Sequence, residues 1–188
     1  MDSFYSQEEL KNIGFRIFGR NVLISRKASV YGAEQISLGN NVRVDDFCIL
    51  SGKIEIGNYV HIAAYAALYG GEAGIYIGDF VGLSARTSVY SATDDYSGVA
   101  LTNPTVPEQY KNVENSPVYI GKHVLVGATS VILPGVFLGE GSSFGSFSFI
   151  THDSEEWSMN MGIPARKVKE RKKDILELER RMMEDMRE

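Results

Sequence analysis

Three side chains in this sequence are suited to proton transfer near neutral pH, namely His61, His123 and His152. A neutral imidazole can take a proton from an attacking hydroxyl or amine, and a carboxylate beside it raises its pKa. The stretch "YSATDDYSG" provides two adjacent carboxylates, Asp94 and Asp95. The sequence therefore contains groups for general-base catalysis, and the fold decides which of them meet.

The same histidines are poorly spaced for a metal site. Zinc requires three or four protein ligands that converge on one point, whereas these histidines are separated by 62 and 29 residues. The single cysteine, Cys48, excludes an internal disulfide and suits a reducing compartment. We therefore expect no metal, and stoichiometric zinc in the purified protein would contradict this expectation.

An aliphatic side chain at every sixth position predicts the elements that position these groups. One run comprises Leu38, Val44, Leu50, Ile56, Ile62 and Leu68, and another comprises Ile120, Val126, Ile132, Leu138, Phe144 and Ile150. Side chains two apart share a face of a strand, so this period fits a short strand followed by a sharp corner. Three such sides close a coil of about eighteen residues, and stacked coils bury a continuous core. The sequence predicts a mainly-β fold, a parallel β-helix. A β-sandwich would instead space its strands about 8–12 residues apart.

The repeat also predicts where His61 points. It directly precedes the inward-facing Ile62, so its side chain should lie on an outer face of the coil. We expect Asp94 or Asp95 to orient its imidazole. The alternatives are a solvated histidine or one at a subunit interface. His123 is outward by the same register and is a weaker candidate for the base.

A long segment interrupts the repeat at residues 90–118. It contains three prolines and few inward-facing positions, while Tyr90, Tyr96, Leu101 and Tyr110 provide apolar anchors. A segment of this length without periodicity is usually functional or disordered, and its anchors favour an ordered loop that projects from the coil.

The two ends of the chain predict helices. Ser6 and Glu9 form a capping-box pattern, and an apolar stripe through Ile175, Leu178 and Met182 is typical of a helix. We predict an N-terminal helical cap over 1–19, a β-helix over 20–164 and a C-terminal helix over 165–188. The last helix either caps the coil or contacts another chain.

Charge and hydropathy exclude some partners. The net charge of −5 argues against nucleic-acid binding, which requires a basic surface. We find no uncharged stretch of transmembrane length and no signal-peptide pattern in "MDSFYSQEELKNIGF". We expect no membrane insertion and a cytoplasmic location.

Two stretches resemble a known family. "IGKHVLVGATSVILPGVFLGEGSSFGSFSFIT" followed by "MGIPARKVKER" is similar to the hexapeptide-repeat acyltransferases of the galactoside and maltose acetyltransferase kind. The resemblance implies a left-handed parallel β-helix, a homotrimer and acetyl-CoA as donor. It also implies a sugar acceptor, free or linked to a nucleotide or lipid, in surface-polysaccharide biosynthesis of the O-antigen type.

The resemblance implies a donor site as well. The matching positions are Ala128, Ser146, Thr151, His152, Arg166 and Lys169. Small side chains leave room for the pantetheine arm along the coil, and the basic run "RKVKERKK" suits the phosphates of coenzyme A.

The acceptor side departs from the family. Asp94 stands where maltose-type enzymes have the catalytic histidine, and a carboxylate of ordinary pKa is a weak base for a hydroxyl. Burial could raise the pKa of Asp94, His61 could replace the missing base, or the acceptor could be an amine that needs little assistance. O-acetylation and N-acetylation both remain open at this point.

Two other functions use the same fold. A non-catalytic scaffold would fail to bind coenzyme A. A metalloenzyme resembling the γ-class carbonic anhydrases would need three converging histidines, which the spacing disfavours.

Overall fold

The computed structural model describes residues 3–186, in which twenty short strands alternate with corners and an α-helix lies near each end. The helices are α1 (Gln7–Ile13) and α2 (Ile175–Asp185). The strands are β1 (Ile17–Phe18), β2 (Leu23–Ile24), β3 (Ser29–Tyr31), β4 (Ile36–Leu38), β5 (Arg43–Val44), β6 (Ile49–Ile56), β7 (His61–Ile62), β8 (Ala67–Ile77), β9 (Gly82–Leu83), β10 (Ser88–Tyr90), β11 (Ala92–Thr93), β12 (Glu114–Asn115), β13 (Val118–Ile120), β14 (Leu125–Val126), β15 (Val131–Ile132), β16 (Phe137–Leu138), β17 (Ser143–Phe144), β18 (Phe149–Ile150), β19 (Ser158–Met161) and β20 (Arg166–Glu170).

The strands stack into three faces that the chain visits in turn. Face 1 contains β1, β4, the ends of β6 and β8, β13 and β16. Face 2 contains β2, β5, β7, β9, β14, β17 and β19, and face 3 contains β3, the starts of β6 and β8, β10, β15 and β18. Neighbouring coils pair in parallel on every face. The parallel β-helix predicted from the six-residue repeat is confirmed.

The core consists of the residues that the repeat places inward. Leu50, Leu68 and Ile132 are completely buried. Polar residues also occupy inward positions, and their hydroxyls donate to carbonyls three residues earlier: Ser130 Oγ to Gly127 O (2.7 Å) and Ser148 Oγ to Gly145 O (2.6 Å). Because these hydrogen bonds compensate for desolvation, serine can replace an aliphatic residue beside a corner.

Helix α1 covers the first coil. Ser6 Oγ accepts from Glu9 N (3.2 Å), and Glu9 Oε2 accepts from Ser6 N (2.8 Å), which completes the capping box. Leu10 is fully buried, so the helix seals the end of the core that no preceding coil covers.

The projecting loop runs from Ser91 to Pro117, between β10 and β13. Its two ends are held together because β11 and β12 pair antiparallel. Several of its apolar side chains are exposed, including Tyr96 (93%) and Val99 (83%).

The C-terminal segment differs from the predicted helix over 165–188. Residues 166–170 form β20, which pairs antiparallel with β19, and helix α2 begins only at Ile175. Residues 1–2 and 187–188 of the predicted end segments lie outside the described residues. Neither helix within residues 3–186 has the length and hydrophobicity needed to cross a lipid bilayer.

Helix α2 packs on its own coil rather than projecting away from it. Its apolar stripe, Ile175, Leu178 and Met182, lines a cleft against face 2. Glu179 accepts hydrogen bonds from Lys122 Nζ (2.6 Å) and His123 Nε2 (2.8 Å). His123 points outward from the coil as predicted, but helix α2 covers it: it is 6% exposed and stacks on Phe80 at a ring-centroid distance of 5.1 Å.

This contact gives a prediction for stability. Burial alone would raise the pKa of Glu179, but hydrogen bonds from Lys122 and His123 outweigh burial and hold it below its ordinary value of 4.5. A carboxylate whose pKa is lower in the folded state than in the unfolded state stabilises the protein at pH values above its ordinary pKa. This stability is lost as pH falls through the lowered pKa. We expect Glu179→Gln to lower the midpoint of thermal unfolding at pH 7 by about 5 °C, from a loss of roughly 2 kcal/mol.

Scanning calorimetry of both proteins over a pH series tests this. The difference in unfolding midpoint between the two proteins should shrink in acid, where Glu179 is protonated in the wild type. Glu177→Gln is the control for a solvent-exposed pair: its carboxylate accepts from Arg180 and Arg181 on the open side of α2, where screening leaves such pairs a small contribution. A difference that stays constant down to acid pH would contradict the assigned role of the Glu179 carboxylate.

Candidate active site

A cavity of about 650 Å³ lies on face 3, beneath the start of the projecting loop. Its floor comes from the coil of β15 and from Phe149 one coil below, and its roof comes from β11 and the residues that follow. The lining residues are Tyr90, Ala92, Thr93, Asp94, Tyr96, Val131, Leu133, Pro134 and Phe149. The cavity is therefore largely apolar and aromatic.

Asp94 provides the one carboxylate among these lining residues. It directly follows β11, so the β11–β12 pairing holds its backbone against the coil. Its Oδ2 accepts a long hydrogen bond from Asn103 N (3.4 Å), which ties it to the far side of the loop. The side chain is partly buried. The sequence identified Asp94 as a candidate, and the structure places it at the roof of a cavity.

Asp95 lies in a different environment. Its Oδ1 accepts from Ser97 N (2.7 Å) and its Oδ2 accepts from Ser97 Oγ (3.0 Å). The hydrogen bonds from Ser97 hold the pKa of Asp95 below its ordinary value. Asp95 does not line the cavity, and its contacts shape the turn that follows Asp94.

His61 points outward as predicted, but its partner differs from the prediction. Its Nε2 lies 2.8 Å from Asp45 Oδ2, on face 2, rather than beside Asp94 or Asp95. Arg43 Nε donates to the other Asp45 oxygen (2.7 Å). Burial alone would raise the pKa of Asp45, but the hydrogen bonds from His61 and Arg43 hold it below the ordinary value.

The sequence contains a signal for this pair. Arg43 and His61 occupy equivalent outward positions on successive coils, and Asp45 lies two residues after Arg43. Side chains two apart share a face of a strand, so the register places Asp45 on the same outer face as His61, diagonally across from it, while the structure shows that the two side chains pair.

The other candidate metal or nucleophilic groups lie apart. His152 Nδ1 is 2.7 Å from Thr151 Oγ1, and His123 is beneath α2. Burial raises the pKa of the Cys48 thiol to about 11, so this side chain is not a ready nucleophile. No group of three or more histidine, cysteine or acidic side chains within residues 3–186 is arranged to hold a metal ion.

Two of the predicted donor residues, Ala128 and Ser146, occupy equivalent positions on adjacent coils. Phe147 N, one residue beyond Ser146, donates to Ala128 O (2.9 Å). A Cβ on Gly127 would lie 2.4 Å from Ser146 N, so glycine permits the two coils to approach closely here. Ala128 is half-buried and Ser146 exposed, which leaves an open edge beside these small residues.

Backbone hydrogen bonds connect the donor residues to the cavity. Leu133 N donates to Ile150 O (3.0 Å), which places Thr151 and His152 beside the cavity floor, in the same coil as Phe149. Phe149 N donates to Gly162 O (3.0 Å), and Ala165 N donates to Phe149 O (2.8 Å). Arg166 therefore directly follows Ala165, which is hydrogen-bonded to Phe149 of the cavity lining.

A β-bulge arranges the basic run at 166–173. The register of β19 and β20 shifts between Met159 and Asn160, so Met161 opposes Arg166 and Met159 opposes Lys169. Opposed residues of antiparallel strands share a side of the sheet. Arg166 and Lys169 thus lie on the same side despite being three residues apart, and both are exposed.

Other cations of this run have partners within the chain. Lys167 forms ion pairs with Glu155 and Glu170, both at 2.6 Å. Arg171 Nη1 donates to the carbonyls of His123 (2.8 Å) and Gly141 (2.9 Å). Lys167 and Arg171 are therefore anchored within the chain, whereas Arg166 and Lys169, the cations predicted to contact the donor, are exposed.

Comparison with known proteins gives consistent matches over almost the whole chain. No protein-family model matches it. An Escherichia coli dTDP-4-amino-4,6-dideoxy-D-glucose acyltransferase is 45% identical over 180 residues, which cover 94% of this chain and 93% of that protein.

Solved structures show the same similarity. AntD, an N-acyltransferase from Bacillus cereus in complex with dTDP and 3-hydroxybutyryl-CoA, is 56% identical, with a TM-score of 0.98 and full coverage of both chains. The D94A variant of AntD with dTDP and coenzyme A has a TM-score of 0.97, at 56% identity and coverage of 98% and 100%. Position 94 of the present chain is also aspartate. A hexapeptide-repeat acetyltransferase from Vibrio cholerae, VCA0836, matches at 19% identity over 89% of this chain and 77% of its own, with a TM-score of 0.62, which supports the fold alone.

Proposed function

Because this chain belongs to the hexapeptide-repeat acyltransferase family, we propose that it transfers an acyl group from a coenzyme A thioester to the amino group of a nucleotide-linked amino sugar. The relatives that cover nearly its full length are a dTDP-amino-sugar acyltransferase and an N-acyltransferase that binds dTDP and coenzyme A. Of the two acetylation chemistries that the sequence left open, N-acylation is the one we propose. Its product would supply surface-glycan biosynthesis.

The observation that carries this proposal is the position of Asp94 in the cavity. A carboxylate is a weak base for a sugar hydroxyl, whose proton is held strongly. A neutral amine already has a free lone pair, so Asp94 needs only to accept its hydrogen bond and orient it. The absence of any histidine among the cavity-lining residues suits an amine better than a hydroxyl.

The proposed reaction is direct acyl transfer. The amine nitrogen attacks the thioester carbonyl, and a C–N bond forms as the carbonyl oxygen takes up negative charge. When the carbonyl re-forms, the C–S bond breaks and coenzyme A leaves as thiolate. The amine loses one proton, which Asp94 or the departing thiolate can take.

The donor site is proposed along face 3 and the adjoining corner. Ala128 and Ser146 would border the pantetheine arm, Thr151 and His152 would contact it beside the cavity, and Arg166 with Lys169 would bind the coenzyme phosphates. Ala165 bonds to Phe149, and the next residue, Ile150, bonds to Leu133. Because Phe149 and Leu133 both line the cavity, this arrangement supports a thioester that ends near Asp94.

His61 and Asp45 form a second candidate for the base. The carboxylate orients the imidazole as it would in a proton relay, and about half of the His61 side chain is exposed. This pair lies on face 2 rather than at the cavity on face 3, so it could act only on a substrate bound elsewhere, including at a subunit contact.

We further propose that the protein is a homotrimer located in the cytoplasm. Exposed apolar side chains on face 1, such as Tyr119 and Phe137, and those of the projecting loop support a subunit interface, because monomers rarely expose contiguous apolar patches. The single, buried cysteine suits a reducing compartment. Light scattering should give three times the chain mass of 20.8 kDa, and a monomer would contradict the trimer.

Thiol release from acetyl-CoA tests the acceptor class directly. We expect turnover with dTDP-4-amino-4,6-dideoxyglucose and none with dTDP-glucose, which presents a hydroxyl at the same position. Mass spectrometry of the product should show an amide that resists mild alkaline hydrolysis. Transfer to dTDP-glucose at an equal rate would refute N-acylation. Repeating the assay with the free sugars tests whether the acceptor must be linked to the nucleotide.

A further inference from the structure

We infer that Ser91 is a positioning residue for the proposed acyl transfer. Its buried hydroxyl ties the root of the projecting loop, formed by the paired strands β11 and β12, to a bulge in β8. This contact holds Asp94 over the cavity on face 3. The role rests on the proposed function, because Ser91 acts on the reaction only through Asp94.

The bulge in β8 lies on the coil that precedes the projecting loop. Strand β8 has eleven residues and its partner β6 has eight, yet the two strands pair at both ends. The surplus residues of β8 lie between Tyr69 and Ile75, where the register shifts. A Cβ on Gly70 would lie 2.0 Å from Lys53 O, so only glycine permits the chain to bend there.

Ser91 connects this bulge to the loop. It directly follows β10 and is completely buried. Its Oγ donates to Gly70 O and lies 3.2 Å from Tyr69 O. Its own carbonyl accepts from Ser116 N (2.9 Å) at the far end of the loop. A buried hydroxyl is costly unless it is hydrogen-bonded, so this contact fixes the first residue of the loop against the coil.

Both strands of the loop root rest on Gly71 of the bulge. A Cβ at this position would lie 3.3 Å from Ser91 Oγ, 3.6 Å from Ala92 Cβ and 3.7 Å from Asn115 Oδ1. Ala92 and Asn115 are paired with each other across the root. The bulge therefore determines where the root lies, and Asp94 follows Ala92 by only two residues.

Asp94 depends on the root because its own side chain is held weakly. Within residues 3–186, its hydrogen-bond donor is Asn103 N, at the long distance of 3.4 Å. Asn103 belongs to the same loop, so this contact moves with the loop and does not anchor it to the coil. Misplacing a catalytic group by about 1 Å can lower a rate by about 10²-fold. The Ser91 hydroxyl is therefore placed to influence kcat without touching either substrate.

The variant Ser91→Ala tests this role in the assay of thiol release with the amino-sugar nucleotide. Its kcat should fall by between about tenfold and 10²-fold, whereas KM for acetyl-CoA should stay within about twofold of the wild-type value. Gly71→Ala, which crowds the Ser91 hydroxyl, should lower kcat in the same way. Ser158→Ala is the matched control and should retain the wild-type kcat, because it removes an equally buried hydroxyl that donates to Glu155 O (2.7 Å) in the last coil.

A double-mutant cycle with Asp94→Asn separates positioning from general destabilisation. Because Ser91 acts through Asp94, Ser91→Ala should lower kcat by less than about twofold in the Asp94→Asn background. The same loss in both backgrounds, or a wild-type kcat in Ser91→Ala, would overturn the inference and leave the proposed function standing.

Amide hydrogen exchange followed by mass spectrometry tests the contact without any acceptor. Peptides that cover residues 91–93 and 114–116 should exchange faster in Ser91→Ala than in the wild type or in Ser158→Ala. Unchanged exchange in the loop root would show that the hydroxyl does not hold the root, even if kcat falls. Faster exchange, together with no transfer to the amino sugar by the wild type, would place the failure in the proposed function and not in the Ser91 contact.

Discussion

Replacing Asp94 with alanine should lower kcat by about 10²–10⁴, the range expected for removal of a group that assists proton transfer. Asp94 is the carboxylate of the cavity, so its loss leaves the attacking amine without an oriented acceptor for its hydrogen bond. KM for the acyl-CoA donor should change little, because the proposed phosphate-binding cations lie on β20. Initial rates of thiol release with the amino-sugar nucleotide would measure both parameters.

Two variants sharpen this prediction. Asp94→Asn preserves the size of the side chain and an oxygen that can accept a hydrogen bond from Asn103 N, so it tests the charge alone. Its kcat should be as low as that of Asp94→Ala. His61→Ala removes the face 2 candidate. If His61→Ala loses as much kcat as Asp94→Ala, the His61–Asp45 pair shares in proton transfer; if Asp94→Ala retains the wild-type kcat, Asp94 is not the acceptor-side group.

The double variant Arg166→Ala, Lys169→Ala should weaken acyl-CoA binding by about 10²-fold. Each charge-assisted hydrogen bond to a phosphate contributes roughly 1.5–3 kcal/mol, and partial solvent exposure reduces that contribution for both residues. The bulge in β20 places the two cations on one side of the strand, which allows both to reach the same ligand. Titration of coenzyme A by calorimetry measures the loss directly.

Lys167→Ala is the matched control for this double variant. Lys167 lies in the same strand, but its ammonium is paired with Glu155 and Glu170. Its removal should leave coenzyme A affinity within about twofold of wild type. Equal losses for Lys167→Ala and the double variant would indicate a general electrostatic effect of the basic run rather than a phosphate site. Increasing salt should weaken wild-type binding more than that of the double variant.

The sequence by itself determined the β-helix. Only a chain with an aliphatic residue every six positions, small or polar residues beside the corners and glycine at close approaches can stack eighteen-residue coils. This pattern is local and repeated, so each coil specifies the next one. The serines at inward positions look anomalous in the sequence, but the hydroxyls of Ser130 and Ser148 each donate to the carbonyl three residues earlier.

Asp94 and the proposed donor positions are candidates that come from resemblance rather than from periodicity. Asp94 lies in a segment without a repeat, and no local pattern states how far such a segment folds back on the coil. The pairing of β11 with β12 joins residues that are about twenty positions apart, and this non-local contact turns an isolated carboxylate into part of a cavity.

Tertiary structure alone decided three features. His61 pairs with Asp45 rather than Asp94 because the projecting loop that carries Asp94 folds over face 3, whereas His61 lies on face 2. His123 is buried because α2 folds back over a corner some fifty residues earlier in the chain, held by Glu179. Arg166 and Lys169 share a side because a bulge shifts the alternation of β20. In each case the physical reason is the same: side-chain direction within an element follows from sequence, but which elements meet, and in what register, depends on contacts between residues distant in the chain.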